Sequence, residues 1–152
     1  MTMAFAQESW VQIRDEAIPL LEENWKEIGH FEGIPMDVNF PAVEAMDAAD
    51  ALRLYSARSK DDGSLLGYAG FAVSYSIGAK TFREAEELGV YLAKSCRRGR
   101  IAMRLIQYAE EELKKDGVYM INYHAPVNNP GFGSLLVKLG YRKAEEIYTR
   151  RV

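Results

Sequence analysis

The chain has 152 residues, 48% of them hydrophobic and 27% charged, the balance of a globular domain that buries its own core and not of a disordered one. Its formal net charge of −3 argues against a general nucleic-acid binder and fits an amine or cationic substrate somewhat better. One cysteine, Cys96, allows no intrachain disulfide, and with only His30 and His124 beside it the soft ligands for a zinc or haem site are too few. These readings predict a single domain over residues 1–152, no metal, and a reducing, cytoplasmic compartment. Met1 to Ala6 is too short and uncharged for a signal peptide, and no apolar run approaches the roughly 18 residues of a membrane span.

Residues 4–13 read as either a first strand or a short helix, carrying Phe5, Trp10 and Ile13. Asp15 has the chemistry of an N-cap, with Glu16 in the first turn and Pro19 among the four residues whose N–H groups need no intrahelical partner. Leu20, Leu21, Trp25 and Ile28 recur at helical spacing, and Gly29 ends the run. Pro41 to Ala48 predicts a second short helix. Two strands follow, Ala51 to Arg58 and Ser64 to Ser76, joined by the turn signal Asp61-Asp62-Gly63. Gly78-Ala79-Lys80 breaks the pattern before a third strand, about Ala85 to Leu92. A helix over Arg100 to Lys115 shows Ile101, Leu105, Tyr108, Ala109 and Leu113 on one stripe. Val118 to Tyr123 reads as the parallel strand it feeds, because a strand–loop–helix–strand unit needs a crossover. A short helix, Gly131 to Leu139, and a last strand, Tyr141 to Arg150, complete an α+β order with a mixed sheet.

The stretch Lys94-Ser95-Cys96-Arg97-Arg98-Gly99-Arg100-Ile101-Ala102-Met103-Arg104 concentrates charge. It holds five cations and no carboxylate, so removing its +5 from the net −3 leaves −8 elsewhere. It lies between a strand and a helix, where unpaired N–H groups and the positive end of the helix dipole suit a phosphate or diphosphate. Gly99 allows close backbone approach, and arginine adds bidentate contacts to phosphate oxygens. A solvated basic turn is the plain alternative. The chain has no G-K-[ST] ending, Gly131-Phe132-Gly133 lacks a third glycine, and there is no G-x-S-x-G elbow.

Arg97-Arg98-Gly99-Arg100-Ile101-Ala102 resembles the coenzyme motif Q/R-x-x-G-x-G/A of the GNAT N-acetyltransferase family, with Arg100 in place of the middle glycine. Asn129 and Leu135-Leu136-Val137-Lys138-Leu139-Gly140-Tyr141 resemble the family's closing segment. Pro19-Leu20-Leu21, Trp25 to Ile28, Gly67-Tyr68 and Tyr141 to Tyr148 resemble a phage-associated subgroup. The resemblance implies a mostly antiparallel mixed sheet flanked by helices, with a β-loop-α-β unit that binds acyl-CoA. It implies transfer of an acetyl group from acetyl-CoA to a primary amine by direct attack in a ternary complex. A GNAT fold that only binds acyl-CoA is the second reading, kept by Leu136 standing where the family often has a proton-donating tyrosine. A polyanion binder is the third.

For the site, the resemblance implies that backbone groups of Leu92 and Ala93 bond the pantetheine arm and that N–H groups from Arg98 through Gly99, Arg100 and Ile101 to Ala102 take the pyrophosphate. Arg97 and Arg98 come first among the side chains, and Asn129 touches the coenzyme. A carboxylate is a sensible base for the incoming ammonium. Glu86 and Glu87 enter the third strand and alternation sends them to opposite faces, so at most one reaches the cleft; Glu86 is slightly favoured. Tyr123, Tyr141 and Tyr148 are the candidates for the acid, and His124 is a candidate for the substrate mouth. The partner is then a small-molecule or peptide amine, with neither nucleic acid nor membrane, and a homodimer is left open.

Overall fold

The computed structural model describes residues 2–152; Met1, the first residue of the expected domain, lies outside them. Strand β1 (Met3–Glu8) resolves the first ambiguity, and the helix α1 (Trp10–Ile28) begins six residues before the expected start. The reason is a capping box: the Ser9 hydroxyl accepts from the Gln12 N–H, and the Gln12 side chain accepts from the Ser9 N–H at 2.8 Å. Asp15 is therefore inside the helix, and Glu16 bonds Arg58 at 2.9 Å. Pro19 stands mid-helix, where it removes one hydrogen bond. Buried Trp10, Ile13 and Ala17 hold the helix on the sheet. Ser9→Ala is expected to lower unfolding free energy by about 1 kcal/mol, read from the urea midpoint.

Helix α2 (Phe40–Ala48) starts on an Asn39 cap, and strands β2 (Leu52–Ser59) and β3 (Leu65–Ser76) follow close to their expected bounds. Strand β4 (Ala79–Leu92) begins six residues earlier than expected, because Ile77-Gly78 makes a tight turn and Ala79, Arg83 and Glu84 pair with the end of β3, residues 80–82 falling in a register irregularity. Helix α3 (Ile101–Lys115), strand β5 (Met120–Asn122) and helix α4 (Pro130–Lys138) complete the elements. No helix among the described residues is long and apolar enough to cross a membrane.

The sheet runs in the order β1-β2-β3-β4-β5, antiparallel throughout except for the last pair, so the mixed, mostly antiparallel α+β class is the observed one. Side chains alternate between two cores. Tyr55, Ala57, Ala69, Phe71, Val73 and Ala85 meet Leu105, Ala109 and Leu113 of α3 on one face. Leu52 and Leu65 meet Trp10, Ile13 and Ala17 on the other, with α2 alongside. At the far end of α3, Asp116 accepts from buried Arg53 at 2.6 Å and from Arg83, which pins the helix and fixes where its N-terminus points.

The expected strand at Tyr141 to Arg150 does not form. Residues 142–152 are exposed and carry no regular secondary structure, and β5 has a ladder partner on one side only. Tyr141, Ile147, Tyr148 and Thr149 suit a strand by residue type, but Ile147 and Tyr148 find no apolar face to cover and are 69% and 86% exposed.

Candidate functional site

The parallel ladder between β4 and β5 has three pairs, Glu84 with Met120, Ala85 with Ile121 and Glu86 with Asn122. Beyond them the strands part. A register shift opposite Gly70 and Phe71 makes Leu88 an extra residue in β4, and such a bulge bends the strand. The result is a cleft of about 730 Å3 between the last turns of α1, the upper half of β4, the 124–129 segment and the first turns of α3 and α4.

Glu87 stands at the fork. It follows Ala85 on the α3 side of the sheet and lines the cleft. The His124 N–H reaches its carboxylate at 3.2 Å. Burial raises its pKa to about 7, and that hydrogen bond only partly opposes the shift. Glu86 faces the other way, bonding the Asn122 amide and the His124 Nε2 at 3.2 Å, and does not line the cleft. The pairing of the two glutamates to opposite faces is therefore as expected, but the one at the cleft is Glu87. Tyr123 is also not part of the cleft wall. Its ring packs edge-on to Phe71, Phe132 and Tyr141, its hydroxyl is buried without a partner among the described residues, and burial pushes its pKa upward. Tyr141 donates to Glu110 and Tyr148 to Glu146, both on the surface. Leu136 is core, 7% exposed.

Upstream of the arginine turn the backbone is sorted by the β3–β4 ladder. The Ala93 N–H donates to Leu66 O at 2.7 Å, so that donor is committed to the sheet, contrary to its expected part in the cleft. Antiparallel alternation then turns the N–H and C=O of Val90 and Leu92 away from β3, toward the fork. Gly67 permits this packing, since a Cβ there would lie 2.7 Å from a Leu92 methyl.

A 3-10 turn over Lys94–Cys96 leads into the arginine turn; Cys96 is 2% exposed and is not in the cleft. Among the described residues, the N–H groups of Arg98, Gly99 and Arg100 bond no protein acceptor, and no side chain caps α3. Gly99 has φ +80°, the left-handed region. These amides, the helix dipole and the exposed Arg98 and Arg100 side chains fit a diphosphate. Ala102 and Ile106 continue the wall from there. Asn129 and Phe132 face them at the start of α4. Ile101 is half-buried against the α3 core. Asn128, which sequence reasoning missed, ties the loop to α1 through a bond to the Glu27 carbonyl, and Gly29 leaves room for it. Glu27 and Arg97, 70 residues apart, meet across the cleft mouth, a pairing that no local pattern encodes.

Residues 10–146 match the model of the acetyltransferase (GNAT) family. Among solved structures, a ribosomal-protein-alanine N-acetyltransferase from Brucella melitensis biovar Abortus 2308 superposes with a TM-score of 0.75 at 17% identity, covering 99% of each chain. The aminoglycoside acetyltransferase AAC(6')-Iy, in complex with a bisubstrate analogue of coenzyme A, gives 0.75 at 19% identity over 100% of this chain and 99% of that one. Glucosamine-6-phosphate N-acetyltransferase from Arabidopsis thaliana gives 0.73 at 11% identity, covering 99% of each. A comparison of the sequence with curated proteins gave no match.

Proposed function

Because the chain belongs to the GNAT acetyltransferase family, we propose that its fork binds acetyl-CoA and that Glu87 readies an amine for acetylation there. The observation that carries the assignment of roles is Glu87, a carboxyl at the opening between β4 and β5 with its pKa pushed up to about 7. A base with that pKa takes a proton from an incoming ammonium near neutral pH and returns it to water. It also favours turnover over an acyl-CoA-binding module.

The Arg98, Gly99 and Arg100 amides and the α3 N-terminus hold the diphosphate, and the outward groups of Val90 and Leu92 bond the amides of the pantetheine arm. Phe132, Ile106 and Asn129 wall the arm, supported by Ala102. Acetyl-CoA supplies an acetyl thioester whose carbonyl is open to a neutral amine. Attack forms the C–N bond and breaks the C–S bond. The thiolate, with an ordinary thiol pKa of about 8.5, takes the proton the nitrogen sheds through water, so neither Tyr123 nor Leu136 has to donate it. Holding both reactants in one cleft supplies much of the rate.

The acceptor is an amine. Neighbours of the same fold are named for an aminoglycoside, a ribosomal-protein alanine and glucosamine 6-phosphate, which sets the breadth of the panel to try. We place the protein as one acetyltransferase domain in the cytoplasm, acting without nucleic acid or membrane; the support is its lone cysteine and negative net charge. Membership of a phage-associated subgroup rests on the sequence likeness at Pro19-Leu20-Leu21, Trp25 to Ile28, Gly67-Tyr68 and Tyr141 to Tyr148 alone, and a homodimer is left to direct measurement. The test is thiol release from acetyl-CoA by purified protein with an aminoglycoside, an alanyl peptide and a hexosamine phosphate. Acetyl-CoA at about 100 times its Kd is expected to add roughly 2.7 kcal/mol of stability, read as a raised melting temperature. No shift in melting and no thiol release with any amine would overturn the assignment.

A further inference from the structure

We propose that Arg97 selects the donor: it closes the pantetheine track to thioesters that carry no diphosphate, and Glu27 detains it in that position. The inference rests on the reading of the fork as a coenzyme site. Three contacts from three directions hold the guanidinium. Arg97 Nε donates to Leu92 O at 2.7 Å. Its terminal nitrogen donates to both Glu27 oxygens, at 2.9 and 2.8 Å. The plane lies over the Tyr91 ring, 5.0 Å from its centroid.

Leu92 O is one of the outward polar groups of β4, so an arm lying along the strand competes with Arg97 for it. The competition is decided one residue away. A diphosphate seated on the Arg98, Gly99 and Arg100 amides offers the guanidinium a forked partner of higher charge than one carboxylate. The Glu27 side chain is 30% exposed, which weakens its hold through solvent screening. Lys94 Nζ, 3.8 Å from Glu27, remains as a counter-ion when Arg97 turns away. A ligand with a diphosphate thus draws Arg97 off the Leu92 carbonyl and then uses that carbonyl itself. A ligand with the same arm and thioester but no diphosphate has nothing to exchange for it.

Binding of two probes, acetyl-CoA and S-acetylpantetheine, to the full chain by calorimetry or ligand-observed NMR tests this. Arg97→Ala is expected to weaken acetyl-CoA about tenfold and to tighten S-acetylpantetheine roughly threefold to tenfold, the effect of freeing one hydrogen-bond acceptor. Glu27→Gln is expected to tighten acetyl-CoA about twofold to fivefold, the worth of one exposed ion pair. Should Arg97→Ala melt early, Arg97→Lys keeps the charge without the fork and is expected to shift S-acetylpantetheine in the same direction. If S-acetylpantetheine binds the Arg97 variants no better than the wild type, Arg97 does not guard the track. A weaker acetyl-CoA complex in Glu27→Gln would mean that Glu27 aims Arg97 at the ligand, and the proposal is overturned. A wild type that binds no acetyl-CoA removes the coenzyme site itself, an outcome separate from either of these.

Discussion

Glu87→Gln is expected to lower kcat about 100-fold to 10,000-fold while leaving the acetyl-CoA Kd nearly unchanged. The amide has the shape of the carboxyl and keeps its contact with the His124 N–H, but it cannot take a proton. In the wild type the acidic limb of the pH–rate profile should rise through about pH 7, where Glu87 ionises, and the variant should lose that limb. Stability provides a second readout with a definite sign. A carboxyl whose folded pKa lies above its unfolded value of 4.5 binds more protons when folded between those values, so its contribution is present below pH 4.5 and is lost as pH rises through about 7. Glu87→Gln should therefore raise the melting temperature more at pH 8 than at pH 5. An unchanged kcat would move the base elsewhere. Glu86→Gln, outside the cleft, should retain most of the activity.

Phe71→Ala should cost about 3–5 kcal/mol of unfolding free energy, against the 5–15 kcal/mol of an ordinary domain. The residue is fully buried, and its ring centroid lies 5.9 Å from Tyr55 and 5.5 Å from Tyr123. It is also the residue opposite Glu87 at the register shift, so its loss reaches the site as well as the core. Phe71→Leu, closer in volume, should cost less than about 1.5 kcal/mol, and chemical denaturation of both variants reads the difference. Equal effects of the two would mean that the ring is not packed as described.

The helices and central strands were legible because each carries its own local signal. The α3 stripe of Ile101, Leu105, Ala109 and Leu113 has a single period, and Asp61-Asp62-Gly63 names its turn. The start of α1 was misplaced because Asp15 has cap chemistry, whereas the observed cap, Ser9, is marked by its reciprocal partner Gln12. Glu86 and Glu87 could be sent to opposite faces from alternation, but which face holds the cleft depends on where β5 stops pairing, a contact some 36 residues away. Ala93 was assigned outward for a similar reason: the choice of edge follows from Leu66, not from the residue itself. The last segment has strand chemistry without a partner. Glu27 and Asn128 were missed because each acquires its place from another element.

The brevity of the parallel ladder carries a mechanical consequence. Four antiparallel strands bear nearly all the long-range pairing, while β5 hangs on three pairs of the weaker geometry. The least-paired strand of the sheet therefore borders its chemical centre, beside an antiparallel body whose own ladders do not depend on it. Amide exchange should report this as two regimes, with Met120 to Asn122 relaxing far sooner than Tyr68 to Val73, so that bulky reactants can come and go without any toll on the stability of the scaffold.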